Sequence, residues 1–135
     1  MIGKLVVIYS SGDHRIVDAE PDLLHQLQQL VGGWIEIVRN QRMSLCISLG
    51  DDLAKHLVAV VDDVGRLRDE IHYNGIASAF VRYSPLLVGD VVLCRKGFTY
   101  EGEPDIFPLT ADDAKLISLV LQISGSREVK KNADS

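Results

Sequence analysis

Short apolar runs rich in β-branched residues are the feature of this sequence that most limits its fold. Each run is too short for a typical helix and is bounded by glycine or polar residues, which is the pattern of a β-strand. The runs are residues 4–9 (KLVVIY), 34–39 (WIEIVR), 44–48 (SLCIS), 57–61 (LVAVV) and 91–95 (VVLCR). We therefore expect a sheet of about five strands, with a polar NQRM turn joining the second run to the third.

A first helix is predicted for residues 21–31 (PDLLHQLQQLV), where leucines recur at spacings of three and four. Pro21 suits the first helical position, and Asp22 in the first turn suits the helix dipole. Gly32 stands where a left-handed C-terminal cap is expected. One of the two adjacent glycines is thus explained as a helix stop.

A second helix is predicted for residues 110–123, with Thr110 as its N-cap. Its wide apolar stripe also makes it a candidate dimer interface. A third, short helix at residues 76–81 would be capped by Asn74.

The order of these elements predicts a compact single α+β domain, with a mixed or mostly antiparallel sheet and helices on one face. The domain is expected to span residues 1–124, followed by a polar, disordered tail at 125–135. Segments 10–15 (SSGDHR) and 97–109 (GFTYEGEPDIFPL) are predicted loops. A chain of 135 residues with 47% hydrophobic content fits one domain with its own core.

Charge and hydropathy exclude some classes of partner. The net charge of -5 argues against a broad basic surface for duplex nucleic acid. No apolar stretch reaches the length of a membrane span and no leader peptide opens the chain, so a cytoplasmic protein is expected. Cys46 and Cys94 lie in apolar runs, which favours buried free thiols over a disulfide.

Motifs for catalysis, metal binding or cofactor binding are absent from the sequence. There is no HExxH, CxxC, GxSxG, GxGxxG or phosphate-binding loop motif. Asp62 and Asp63 follow a predicted strand and precede Gly65, so a turn with a positive-φ glycine is a more frequent explanation than an acid–base pair. We predict no catalytic residue, no metal and no cofactor.

The stretch LVGGWIE at residues 30–36 allows two interpretations. In the first, Trp34 packs under the preceding helix and Glu36 pairs with an arginine across the sheet. In the second, Trp34 is a stacking surface beside a ligand pocket, Glu36 accepts hydrogen bonds from the ligand, and Gly33 allows a close approach. Alternation along the strand would place Trp34, Glu36 and Val38 on one face.

Four separated motifs resemble a family of small uncharacterised proteins common in bacteriophages and mobile elements. They are LQQLVGGWIEIV, the turn Asp62-Asp63-Val64-Gly65, Asn74-x-x-Ala77, and LVGDVVL at residues 87–93. The resemblance spans residues 22–95. It departs from the family pattern at Trp34, where tyrosine is usual, at Asp63, where glutamate is usual, and in a longer C-terminal helix. The family has no established general activity.

The resemblance implies a phage-like origin and therefore the cytoplasm of a bacterial host, and the absence of catalytic motifs predicts a binding protein without enzymatic activity. The expected function is sequestration of a nucleotide-type immune signal by a homo-oligomer, by analogy with other small phage proteins. The alternative is an acidic inhibitor or adaptor that binds a host protein. The candidate ligand-binding residues are Gly32, Gly33, Trp34, Glu36, Arg39, Asp62, Asn74, Arg82 and Asp90.

Overall fold

The computed structural model describes residues 3–39, 51–81 and 86–130. The expected strand at 44–48, the turn before it, Cys46, Arg82 and the last five residues of the predicted tail lie outside these ranges. Strands and helices alternate along the described chain, which confirms the α+β class and the single domain. No helix in these ranges is long and apolar enough to cross a membrane.

One antiparallel sheet contains all six described strands. They are β1 (Lys4–Ile8), β2 (His14–Asp18), β3 (Ile35–Arg39), β4 (Leu57–Asp62), β5 (Val91–Phe98) and β6 (Pro104–Phe107). The strand order is β2-β1-β5-β4-β3, and β6 pairs with β5 beyond the end of β1. The register places Ile8 opposite Val91 and Ile35 opposite Asp62. The loops that follow β1 and β4 and precede β3 and β5 therefore meet at one end of the sheet.

Four α-helices and one 3-10 helix complete the described fold. They are α1 (Leu23–Val31), α2 (Asp51–His56), the 3-10 helix Gly65–Leu67, α3 (Gly75–Val81) and α4 (Ala111–Ile123). Gly65 begins the 3-10 helix and is not among the glycines with positive φ, so the expected positive-φ turn there is wrong.

The helices cover both faces of the sheet, which corrects the expectation that they share one face. Val6 and Ile8 of β1 pack in a cluster with α3 and α4, whereas Leu5 and Val7 pack in a second cluster with α1. All four side chains are fully buried. A strand covered on both faces has no polar side to show, so its sequence is a continuous apolar run.

Gly32 and Thr110 have the capping roles that the sequence predicts, whereas α1 begins two residues later than expected. Asp22 is the N-cap of α1 and accepts a hydrogen bond from the His25 amide, so the helix begins after Pro21 and Asp22. Gly32 is the left-handed cap at φ 85°. Thr110 caps α4, and its hydroxyl accepts from the Asp113 amide. Local sequence is enough to fix these ends, because each cap satisfies free backbone groups of its own helix.

Two short edge strands occur where loops were expected. Residues 14–18 form β2, which pairs with β1, and residues 104–107 form β6, which pairs with β5. Both are partly exposed and contain few apolar residues, and β6 begins with a proline. Edge strands need only one buried side, so their apolar pattern is weak.

The described start of the predicted tail is ordered, so the expectation of disorder is wrong for residues 126–130. The His14 amide donates to the Arg127 carbonyl and the Val129 amide donates to the His14 carbonyl. Ser126 is buried, with its hydroxyl 2.7 Å from Nδ1 of His14. These contacts attach the C-terminal segment to the free edge of β2.

Candidate functional site

The turn between α1 and β3 contains both adjacent glycines, and each position requires a glycine for a different structural reason. Gly32 has the positive φ that ends α1. At Gly33 a Cβ atom would lie 2.7 Å from Nη2 of Arg68 and 2.8 Å from Oδ1 of Asp62. The space beside Gly33 is therefore filled by an ion pair of the same chain, and not by a ligand or a partner backbone.

Arg68 and Asp62 hold this turn against the end of β4. Nε of Arg68 donates to Oδ2 of Asp62 at 2.8 Å, and Nη2 donates to the Gly32 carbonyl at 3.2 Å. The hydrogen bond to Asp62 raises the pKa of Arg68. Oδ1 of Asp62 accepts from the Val64 amide at 3.2 Å, as in an Asx turn. Asp62 thus acts as a turn residue and as the anchor for Arg68.

Trp34 lies next to the Arg68–Asp62 ion pair, and its indole is exposed to solvent. Its side chain is 73% exposed, so the expectation that it packs under the preceding helix is wrong. The backbone is fixed, because the Trp34 carbonyl accepts from the Asp63 amide at 2.8 Å. β3 begins at Ile35, and alternation does not extend to Trp34. Its side chain lies on the α1 side, whereas Glu36 lies on the other side.

An open groove runs between Trp34 and the exposed face of α1. It has a volume of about 260 Å³ and is lined by His25, Gln28, Gln29, Gly33 and Trp34. All of its polar side chains are uncharged amides or an imidazole. We call these five residues the Trp34 groove. It combines an aromatic surface with groups that can both donate and accept hydrogen bonds.

Glu36 lines a second, smaller cleft on the opposite side of the turn. This cleft of about 80 Å³ also contains Asp63, Arg66 and Val88. Glu36 is exposed and stands opposite Val61, so its neighbour on β4 is not the expected arginine. The cleft therefore offers much less room for a ligand than the Trp34 groove of about 260 Å³.

Asn74 and Asp90 lie at the same end of the sheet but have structural contacts. The Asn74 side chain is fully buried and donates to the carbonyls of Ile8 at 2.8 Å and Gly89 at 2.9 Å. Its Oδ1 accepts from Ala77, as a cap of α3 should. Oδ1 of Asp90 accepts from the Ser10 amide at 3.0 Å. Asn74 is therefore not accessible to a ligand.

Arg39, a predicted ligand-binding residue, lies at the far end of β3 from Trp34. Arg39 ends β3, and five residues of extended chain place its backbone about 17 Å from that of Trp34. Arg82 lies outside the described residues.

Of the predicted set, the structure brings together Gly32, Gly33, Trp34 and Asp62, with Glu36 across the turn. Sequence reasoning missed Gln28, Gln29 and Arg68. The absence of charged residues on the outer face of α1 could have indicated that Gln28 and Gln29 belong to a site.

His14 forms the most buried polar cluster among the described residues. Its Nδ1 lies 2.7 Å from the Ser126 hydroxyl and its Nε2 lies 2.7 Å from the Ser118 hydroxyl. Ser126 donates to the Gly12 carbonyl, so it accepts from Nδ1 and leaves Nε2 to accept from Ser118. Burial lowers the pKa of His14, against the opposing effect of Glu128 and Asp13. The ring is fully buried, so this cluster is a structural one.

Other reactive groups in the described ranges form no recognisable centre. No group of three or more histidine, cysteine, aspartate or glutamate side chains within these ranges is placed to bind a metal ion. Cys94 is a free thiol, and burial raises its pKa to about 12. A thiol with this pKa is a poor nucleophile at neutral pH because the thiolate is scarce.

Comparisons of the chain with protein-family models, with curated proteins and with solved structures matched none of them. The resemblance stated from the sequence motifs stays a prediction.

Proposed function

We propose that this protein is a non-enzymatic binding protein that captures a nucleotide-type ligand by stacking its base on Trp34. The observation that carries the proposal is the 73% exposure of an indole whose backbone is fixed on both sides. Gly32 ends α1 there, and the Asp63 amide binds the Trp34 carbonyl. An exposed aromatic ring on a well-anchored backbone is a surface on which any base can stack.

The neighbouring side chains favour a base with mixed donors and acceptors along its edge. Gln28 and Gln29 line the Trp34 groove, and a glutamine amide can pair with the N6 and N7 positions of adenine. Arg68 is a cation close to the groove, but Asp62 neutralises it. The geometry thus supports recognition of the base more than of the phosphates.

A single open groove gives only weak affinity. One stacked base contributes roughly 1–3 kcal/mol, whereas a millimolar Kd corresponds to about 4 kcal/mol. Sequestration therefore requires a second wall on the other face of the base.

The test uses the single tryptophan of the chain as its own reporter. Indole fluorescence is titrated with AMP, with NAD and with cyclic dinucleotides, and native mass spectrometry gives the stoichiometry. The resemblance to phage proteins is the reason to include signalling nucleotides. We expect saturable quenching by at least one adenine nucleotide.

The matched variants for this test are Trp34→Ala and Tyr100→Ala. Tyr100 is also fully exposed, but it lies at the tip of the β5–β6 hairpin. In native mass spectrometry Trp34→Ala should lose the ligand, while Tyr100→Ala should retain it. Equal retention by both variants, or no binding of the whole panel by the unchanged protein, would contradict the proposal.

A second candidate function is capture of a basic segment of a host protein. The cleft beside Glu36 favours it, because Glu36 and Asp63 are both exposed there and Leu67 beside them is 83% exposed. These two carboxylates outnumber Arg66 at the cleft, and acidic side chains next to an exposed leucine suit a cationic, partly apolar partner. A complex that weakens with salt and with Glu36→Gln, but is indifferent to nucleotides, would favour this function.

A further inference from the structure

α1 has an exposed face without any charged residue. The helix Leu23–Val31 contains no aspartate, glutamate, lysine or arginine, although such residues make up 24% of the chain. Leu24 is 53% exposed, and His25 and Gln29 are exposed beside it. Surface helices carry charged or polar residues on the face that water covers. Here that face is polar but uncharged, so it can be buried without the desolvation of a charge.

The chemistry of this face is self-complementary. A two-fold interface places the same surface on both partners, so a charge near the axis meets its own copy. Glutamine amides carry both donors and acceptors, so Gln28 and Gln29 can pair with themselves. Each copy has a net charge of -5, which opposes association, so an uncharged surface is where two copies repel each other least. These properties point to a second copy of this chain as the occupant.

Apolar side chains lie next to this face and would add to such an interface. A groove of about 300 Å³ beside α1 is lined by Leu23, Leu24, Ile35, Ile37 and Ile106 with Asp105. Ile37 is 46% exposed in this groove. Trp34 lies at the other end of α1, and a tryptophan is among the side chains that most often anchor interfaces.

We propose that two copies pair through the exposed face of α1, and that each copy closes the Trp34 groove of the other. α1 is about 13 Å long. In an antiparallel pair the N-terminal turn of one α1 lies over Trp34, at the C-terminal end of the other. The partner copy then supplies the second wall that a base stacked on Trp34 lacks. This role in ligand binding rests on the proposed function, whereas the interface itself does not.

The rival surface is the outer face of α4. Most of the predicted apolar stripe of residues 110–123 is buried in the core, but Leu119 is 51% exposed and Ile123 is 87% exposed. α4 also begins with Asp112 and Asp113, so its exposed face is charged. This makes α4 the matched control for α1.

The experiment compares the full chain with two double variants by light scattering after size exclusion and by native mass spectrometry, over a concentration series. Q28E/Q29E adds two charges to α1 with almost no change in shape or helix propensity. L119E/I123E adds two charges to α4. We expect the unchanged chain to dimerise, Q28E/Q29E to dimerise at least tenfold more weakly, and L119E/I123E to dimerise normally. A monomeric unchanged chain, or dissociation caused by the α4 variant alone, overturns the proposal.

The fluorescence emission of Trp34 tests the dimer interface independently of nucleotide binding. Dimerisation through α1 should shift the emission of Trp34 to shorter wavelength as concentration rises, with no ligand added. A dimer with this shift that binds no nucleotide supports the interface and contradicts the proposed function. Nucleotide binding of equal affinity by the unchanged chain and by a monomeric Leu24→Glu variant, whose changed residue is exposed on α1 but does not line the Trp34 groove, supports the function and overturns the closing role of the partner.

Discussion

Asn74→Ala is the substitution whose effect the structure determines most directly. The side chain is fully buried and makes three hydrogen bonds, to the Ile8 carbonyl, the Gly89 carbonyl and the Ala77 amide. It joins the end of β1, the turn before β5 and the first turn of α3. At about 1 kcal/mol for each bond, the free energy of unfolding should fall by about 3 kcal/mol. That is a large fraction of the roughly 5–15 kcal/mol of a typical domain.

Asn74→Ser separates the contribution of the α3 cap from that of the two hydrogen bonds to carbonyl groups. A serine can still cap α3 but cannot reach both carbonyls, so the expected loss is about 2 kcal/mol. Asp90→Ala serves as the control from the same end of the sheet. It removes one partly buried hydrogen bond to the Ser10 amide and should cost about 1 kcal/mol.

The assay is urea unfolding followed by circular dichroism, with nucleotide binding measured on each folded variant. A loss below about 1 kcal/mol for Asn74→Ala would refute the reasoning, since the buried carbonyls would then have found other partners. Lost ligand binding with unchanged stability would show that Asn74 contacts the ligand, as the sequence alone had indicated.

Three further predictions concern single groups. Gly33→Ala should lower the free energy of unfolding by about 1 kcal/mol, because the methyl group displaces Asp62 from its backbone hydrogen bond; an unchanged urea midpoint would contradict this. The pKa of His14 is lowered, so its contribution to stability is present above about pH 6.5 and is lost as pH falls through that value towards the folded-state pKa. His14→Gln should flatten the urea midpoint between about pH 7 and 5.5, and a profile as steep as the parent's would exclude His14 as its source. In a Cys46→Ser variant, Cys94 should react with a thiol reagent only after unfolding, since its pKa is about 12; rapid reaction of the folded protein would show that it is accessible.

Much of the fold was predictable from local pattern. The runs that became β1, β3, β4 and β5 are short and apolar, and backbone sterics make such runs strands in most contexts. Continuous burial of β1 was also visible as the run LVVIY. A continuous apolar run is typical of a strand that is covered on both faces. The predicted sheet, however, had helices on one face only.

The candidate site was predictable only in part. Gly32, Gly33 and Trp34 are adjacent in sequence, so they had to lie together. Their partner Arg68 is 36 residues from Gly32, and His14 binds hydroxyls 104 and 112 residues away. Many such pairings are compatible with the same local pattern, so sequence does not select among them. Arg39 shows the converse, because a straight strand separates residues that are close in sequence.

The sequence by itself determined where α3 and α4 begin, where α1 ends and where the buried strands lie, because caps and apolar periodicity act over a few residues. Thr110, Asn74 and Gly32 each satisfy or release backbone groups of their own segment. Only the tertiary structure decided that Trp34 faces solvent, that an ion pair occupies the space beside Gly33, and that Asn74 is inaccessible. Those outcomes depend on which distant elements pack together, and the packing of both sheet faces fixes them all at once.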